Sequence, residues 1–137
     1  MNRAELKQFL QSYRTVCDEN KQLAEQLARL RVRLESPGGG SDGMPHGSGV
    51  HDRVGDGIGR LDALQARYRT KAAEANRMKA QICQLIAPLS QMEQRLMYDR
   101  YIHGLQWAYI SKRLHYSERH IKRLHGNILH KLSDDEA

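Results

Sequence analysis

Nine of the eleven glycines of this chain lie between Ser36 and Gly59, together with two of its three prolines. Glycine and proline at this density predict a flexible linker rather than a regular helix. The glycine-rich stretch therefore divides the chain, and the sequence on either side must supply the folded structure. We place the linker at residues 36–55, between a first long coiled-coil helix at residues 1–35 and a second at residues 56–88.

The first segment has no proline or glycine from Ala4 to Glu35, and its apolar residues recur in alternating steps of four and three. This spacing is typical of a coiled-coil seam. The predicted seam contains Leu6, Leu10, Tyr13, Cys17, Asn20, Ala24, Leu27 and Leu34 and is interrupted by Arg31. Asn20 allows two interpretations. If its side chain is buried in the seam, it costs stability but could fix the register of the helices. The alternative is that the side chain lies at a hydrated edge of the seam.

The second segment carries a similar row of residues that ends before Pro88. This row contains Val54, Ile58, Leu61, Tyr68, Ala72, Ala75, Ile82 and Ile86. Each helix would span roughly 45 to 50 Å at 1.5 Å per residue, and equal lengths favour an antiparallel hairpin, within one chain or between two. Each long helix has an apolar stripe that a single partner helix need not cover completely. We therefore expect the chain to form a homo-oligomer through the long helices.

The sequence of residues 89–132 predicts three shorter helices. Ser90 and Glu93 have the spacing of a capping box that begins a helix, and Gly104 suits the left-handed residue that ends one. A region of about 45 residues is marginally stable alone, so we expect support from the long helices. Two amphipathic helices joined by a tight turn follow, and Ser117 is a natural N-cap for the second. The core of this pair is predicted to contain Trp107, Ile110, Leu114, Ile121, Leu124 and Ile128.

A short turn between two amphipathic helices suits a helix-turn-helix, whose second helix enters the DNA major groove. Opposite its apolar side, the second helix presents Glu118, Arg119, Lys122 and Arg123, with Asn127 further round. Arginine and lysine can donate to guanine, and glutamate can accept from cytosine. A charged run can also be a solvated helix face, but the preceding helix and turn favour DNA reading.

The run YSERHIKRLHGNILHKL, Tyr116 to Leu132, resembles the DNA-reading helix of region 4 of bacterial sigma-70 factors. The run RYIHGLQWAYISKRL, Arg100 to Leu114, resembles the helices that precede it. With the Met44–Pro45 pair in a glycine-rich break between two long helices, the whole chain is similar to phage late-transcription regulators of the ArpU and RinA type. The similarity is strong at residues 95–132 and is one of architecture before them.

This resemblance implies roles for individual side chains. The base-facing positions are those of Glu118, Arg119, Lys122 and Arg123. The side chains predicted to contact DNA phosphates are Lys112, Arg113, His120 and Lys131. Because the base-facing side chains differ from those of housekeeping sigma factors, a different promoter element is expected. Ser111 replaces the usual alanine and still permits close helix crossing.

The charge distribution agrees with an anionic partner. The net charge is +6, and residues 89–132 carry eight positive and three negative side chains, against seven and five in residues 1–35 and again in residues 36–88. Clustered basic residues are the electrostatic footprint of phosphate binding. Residues 133–137 form an acidic tail. The chain has no run of about 18 apolar residues, so we expect no membrane partner.

Other signals do not support an enzyme, a cofactor or a metal site. The glycines of residues 38–43 match dinucleotide and esterase patterns by density alone, without the required strand and partner residues. Histidines at 115, 120, 125 and 130 recur every five residues, which turns successive side chains by about 140° on a helix. Metal ligands on a helix prefer spacings of three or four. Partial protonation of these histidines should raise DNA affinity modestly toward pH 6.

The sequence therefore predicts an all-α, sequence-specific DNA-binding transcription regulator in the bacterial host cytoplasm, associated with the nucleoid. Cys17 and Cys83 are expected to be reduced core thiols there. The resemblance implies activation of phage late genes, with host RNA polymerase as a partner. One alternative is a coiled-coil adaptor that binds RNA polymerase or another protein without reading DNA. Another is a DNA-packaging adaptor like a small terminase subunit, although those usually place the DNA-binding part first.

Overall fold

The computed structural model describes residues 1–35 and 47–133, which form five α-helices and one π-helical turn. The elements are α1 (Arg3–Glu35), α2 (Gly47–Ile86), α3 (Gln91–Met97), the π turn (Tyr98–Ile102), α4 (Trp107–Leu114) and α5 (Glu118–Leu132). No strand occurs in these two ranges, which confirms the predicted all-α class. The first part of the predicted linker, with the Met44–Pro45 pair and the glycine string, and the acidic residues 134–137 lie outside the described residues.

The chain divides into two compact units. The terminal unit combines Met1–Val16 with the chain from Ala75 onward, and the central unit is Cys17–Glu74. The buried apolar residues of the terminal unit are Leu6, Leu10, Tyr13, Val16, Ala75, Ile82, Ile86, Leu96, Met97, Tyr101, Ile102, Ile110, Ile121, Ile128 and Leu129. The start of α1 and the end of α2 thus belong to the same unit as the short helices, which is the support that the sequence predicted for them.

In the central unit, α1 and α2 run antiparallel. Lys71 Nζ lies 2.6 Å from a carboxylate oxygen of Glu19. Further along α1, Leu34 packs on Gly57, where an added Cβ would lie 2.6 Å from Leu34 Cδ2. Increasing residue numbers on α1 therefore face decreasing numbers on α2, as the predicted hairpin requires.

The second helix begins earlier than its sequence indicates. The sequence places residues 47–55 in the linker, but α2 starts at Gly47. A glycine inside a helix costs about 1 kcal/mol, but this preference is weak and tertiary packing can override it. Within the predicted second helix, Gly57 makes such a packing contact, because only a residue without Cβ admits Leu34 so closely.

After Tyr13 the buried row of α1 departs from the predicted seam except at Leu27, which is buried as predicted. Val16, Leu23 and Leu30 are buried. The predicted seam residues Cys17, Asn20, Ala24 and Leu34 are half-buried. The larger aliphatic side chains take the inward positions because they remove more apolar surface from water. Asn20 stays between the buried residues, and its Oδ1 atom is buried without a hydrogen-bond partner in the described part of the chain.

The predicted seam of α2 is correct only toward its carboxyl end. Ala75, Ile82 and Ile86 are buried, whereas Leu61, Tyr68 and Ala72 are half-buried and Ile58 is 52% exposed. Gly57 faces α1, so the next side chain along the helix is turned outward by about 100°. The side chain of Val54 lies outside the described residues.

The prediction of core thiols was wrong for Cys83, which is exposed because the neighbouring Ile82 and Ile86 face the interior. Cys17 is half-buried because Val16 occupies the buried position beside it. Both cysteines are free thiols.

The predicted limits at Ser90 and Gly104 are confirmed for the helical segment that comprises α3 and the π turn. Ser90 Oγ accepts from the Glu93 N–H at 3.3 Å, and the Ser90 N–H donates to Glu93 Oε1 at 3.2 Å, which completes the capping box. At the other end Gly104 has φ 69°, a left-handed conformation. The Leu105 N–H donates to the Asp99 carbonyl at 3.0 Å and closes the π turn.

Candidate nucleic-acid interface

α4 and α5 are joined by a three-residue turn, His115 to Ser117. His115 closes α4 in the left-handed region, with φ 61° and ψ 38°, and the Tyr116 N–H donates to the Ser111 carbonyl at 3.1 Å. Ser117 Oγ accepts from the His120 N–H at 3.1 Å, which confirms the predicted N-cap. The turn therefore fixes the direction in which α5 leaves α4.

The predicted core behind α5 forms in part. Ile110, Ile121 and Ile128 are fully buried. Trp107, Leu114 and Leu124 are half-buried. Ser111 is buried as well, and its hydroxyl donates to the Ala108 carbonyl at 2.7 Å, so its polarity is satisfied inside α4.

Sequence reasoning missed the polar part of this core. His125 is buried on α5, and its Nε2 is hydrogen-bonded to the Tyr101 hydroxyl of the π turn at 2.5 Å. Burial, and then the charges of nearby basic residues, lower the pKa of His125 from 6.5 to about 4, so its ring is neutral at pH 7. Burial raises the pKa of Tyr101 to about 12. Trp107 contacts His125 edge-on, and the Arg100 guanidinium lies 4.3 Å from the Trp107 ring centroid.

The π turn also places a buried carboxylate beneath α4. Asp99 is 4% exposed, and its Oδ2 atom lies 3.4 Å from Nε of Arg113, whose side chain is 44% exposed. A guanidinium has five N–H donors, so those that do not face Asp99 remain for an anion at the surface. No local pattern joins these two residues, because they are fourteen positions apart and lie on different elements.

The four side chains predicted to contact bases are all exposed on α5. Lys122 Nζ lies 3.2 Å from Glu118 Oε1, so these two residues form an ion pair along the helix. Arg119 and Arg123 have no ion-pair partner among residues 1–35 and 47–133. The exposed face of α5 therefore carries two unpaired guanidinium groups beside one neutralised pair.

The four predicted phosphate contacts lie in different surroundings. Lys112 is exposed, and Arg113 is held by Asp99 as described above. His120 is half-buried, and its ring packs against that of Tyr116. Lys131 Nζ lies 2.8 Å from Glu93 Oε2, and this hydrogen bond is the main cause that lowers the pKa of the Glu93 carboxyl. Lys131 therefore ties the end of α5 to the capping box of α3.

Within the described ranges, no group of three or more His, Cys, Asp or Glu side chains is arranged to hold a metal ion. In the same ranges no helix has the length and apolar character that crossing a membrane requires. Comparison of the chain with models of known protein families, with curated protein sequences and with solved structures finds no match.

Proposed function

We propose that the terminal unit binds double-stranded DNA sequence-specifically through α5 and that the chain is a transcription regulator. One observation carries the proposal. α5 follows a tight, capped turn and buries Ile121 and Ile128, while Arg119 and Arg123 are exposed. The major groove admits an α-helix, and arginine can donate to both acceptors of a guanine edge.

The charge balance of residues 89–132 supports this proposal. The three acidic side chains are Glu93, Asp99 and Glu118, and each lies within 4 Å of a basic nitrogen of the same unit. Eight positive and three negative side chains leave an excess of five positive charges. Such an excess attracts the phosphate backbone and makes binding depend on salt.

The role in transcription rests on the resemblance of the sequence to phage late-gene regulators. On that basis the protein activates phage late genes in the bacterial host cytoplasm, on nucleoid DNA, with host RNA polymerase as a second partner. Homo-oligomers would form through the long helices, where α2 leaves Leu61, Tyr68 and Ala72 half-buried and Ile58 exposed. Two copies would place two α5 helices on paired half-sites.

Selection of bound duplexes from a random DNA pool tests the proposal. The full chain is compared with a triple variant, Arg119→Ala, Lys122→Ala and Arg123→Ala. A matched control removes the same charge from exposed positions of α1: Lys21→Ala, Arg29→Ala and Arg33→Ala. We expect the wild type and the control to enrich one motif and the triple variant to lose it, because base contacts specify the sequence.

Two results would count against the proposal. Equal binding of all duplexes by the wild type would favour a DNA-packaging adaptor that holds the backbone. No duplex binding, with retained binding to purified RNA polymerase, would favour a coiled-coil adaptor that does not read DNA.

A further inference from the structure

The side chain of Arg3, in the first turn of α1, lies against the middle of α5, and both belong to the terminal unit. A Cβ built on Gly126 would lie 3.2 Å from Nη2 of Arg3. The guanidinium of Arg3 therefore occupies the space above Gly126 that a side chain would otherwise fill.

Gly126 lies on the face of α5 that the proposed function assigns to DNA. It follows Lys122 by four residues and Arg123 by three, and these spacings place residues on one side of a helix. The offset from Arg123 is about 4.5 Å along the helix axis. Arg3 thus continues the row of exposed basic side chains on α5, although it comes from a helix more than a hundred positions away in sequence.

Two further features support this placement. Asn2 Oδ1 accepts from the Glu5 N–H at 2.8 Å, and Asn2 Nδ2 donates to Glu5 Oε1 at 3.1 Å, so the start of α1 is capped and ordered. Lys7 follows Arg3 by one helical turn, and both charges contribute to the lowered pKa of His125 on α5. Two cations of α1 therefore lie near the second half of α5.

We propose that Arg3, with Lys7, extends the DNA-binding surface of α5 onto the phosphates that flank the contacted bases. The inference rests on the proposed function. Guanidinium groups bind phosphate through two parallel N–H donors. Because Gly126 has no side chain, the side chain of Arg3 can extend across the backbone of α5 at this position. The contact is to the backbone, so it adds affinity without adding sequence preference.

Salt titrations of DNA binding by the full chain test the inference. Losing one phosphate contact should reduce the log-log salt slope by about 0.9, which corresponds to about fivefold weaker binding at 0.15 M salt. We expect this loss for Arg3→Gln and for Lys7→Gln, equally on cognate and unrelated duplexes. Arg29→Gln is the matched control, since Arg29 is exposed on α1 in the central unit.

Gly126→Gln provides a second variant that keeps the charge but fills the space above Gly126. It should weaken binding in the wild-type background and have little effect in the Arg3→Gln background, because both changes remove one contact. A glutamine also favours the helix more than glycine does, so loss of folding is not expected. Thermal unfolding of each variant checks this point.

An Arg3→Gln variant that binds like Arg29→Gln would overturn the inference. Tighter binding by Arg3→Gln would also overturn it, because α1 would then cover the DNA-facing side of α5. If the Arg119, Lys122 and Arg123 variant still loses sequence preference, the proposed function stands without the contribution of α1. If the wild type binds no duplex, both proposals fail.

Discussion

Lowering the pH should destabilise the terminal unit because of His125. The folded ring is buried against Tyr101, and burial followed by nearby positive charges lowers its pKa from 6.5 to about 4. In the unfolded chain the ring regains its ordinary pKa. Between these two values the unfolded chain binds more protons than the folded one, so the free energy of unfolding falls as the pH falls.

The size of the effect follows from the two pKa values. At pH 5 a ring with the ordinary pKa of 6.5 is almost fully protonated, whereas a ring with a pKa of about 4 is about one-tenth protonated. This difference corresponds to a loss of up to about 2 kcal/mol relative to pH 7.5. Glu93 acts at lower pH, since the hydrogen bond from Lys131 holds its pKa below 4.5 and its contribution is lost only as that carboxylate is protonated.

Urea unfolding followed by circular dichroism at pH 5, 6 and 7.5 measures this loss. His125→Gln removes the titrating group, and His130→Gln is the control, because His130 is exposed on the same helix. The wild type and the control should lose about 2 kcal/mol more than His125→Gln between pH 7.5 and pH 5. Identical pH profiles for all three proteins would refute the assignment of the proton-linked loss to His125.

Two further substitutions test the packing. Gly104→Ala should lower the free energy of unfolding by about 2 kcal/mol, because φ is 69° there and the new Cβ would lie 2.7 Å from Arg14 Nε. The control is Gly59→Ala, since Gly59 is helical and a Cβ there would meet nothing within 4 Å. An unchanged melting temperature of Gly104→Ala would contradict this account. Asn20→Leu should raise the free energy of unfolding by about 1 to 2 kcal/mol, since it replaces a buried oxygen without a partner in the described residues. The same change at exposed Asn76 is its control, and destabilisation by Asn20→Leu would mean that the amide is paired in an assembly.

Local signals predicted the elements well. The capping box at Ser90, the left-handed Gly104 and the N-cap at Ser117 each depend on a few neighbouring residues, and all three are confirmed. The apolar spacing also identified the fully buried Ile110, Ile121 and Ile128. The two caps are local because their partner groups lie within one turn of the same helix.

The side-chain contacts between distant parts of the chain were not predicted. On α1 the spacing of apolar residues is compatible with two different buried rows, one through Val16 and one through Cys17. Which row is buried depends on the amount of apolar surface that each row removes from water. The burial of His125 likewise depends on neighbours that sequence spacing does not reveal. Among the candidate site residues, the positions on α5 follow from its period, but the partners of Arg113 and Lys131 do not.

The π turn affects how this chain can be compared with others. The His103 N–H bonds to the Tyr98 carbonyl five positions earlier, so the segment between Ser90 and Gly104 holds a residue beyond the α-helical count. An ordinary α-helix with the same end points would be one residue shorter. An alignment of the two without a gap would displace every later residue by one position, which is about 100° around a helix, and on α5 would equate the buried Ile121 with the counterpart of the exposed Lys122. Related chains are therefore best sought by allowing a single-residue gap at this turn.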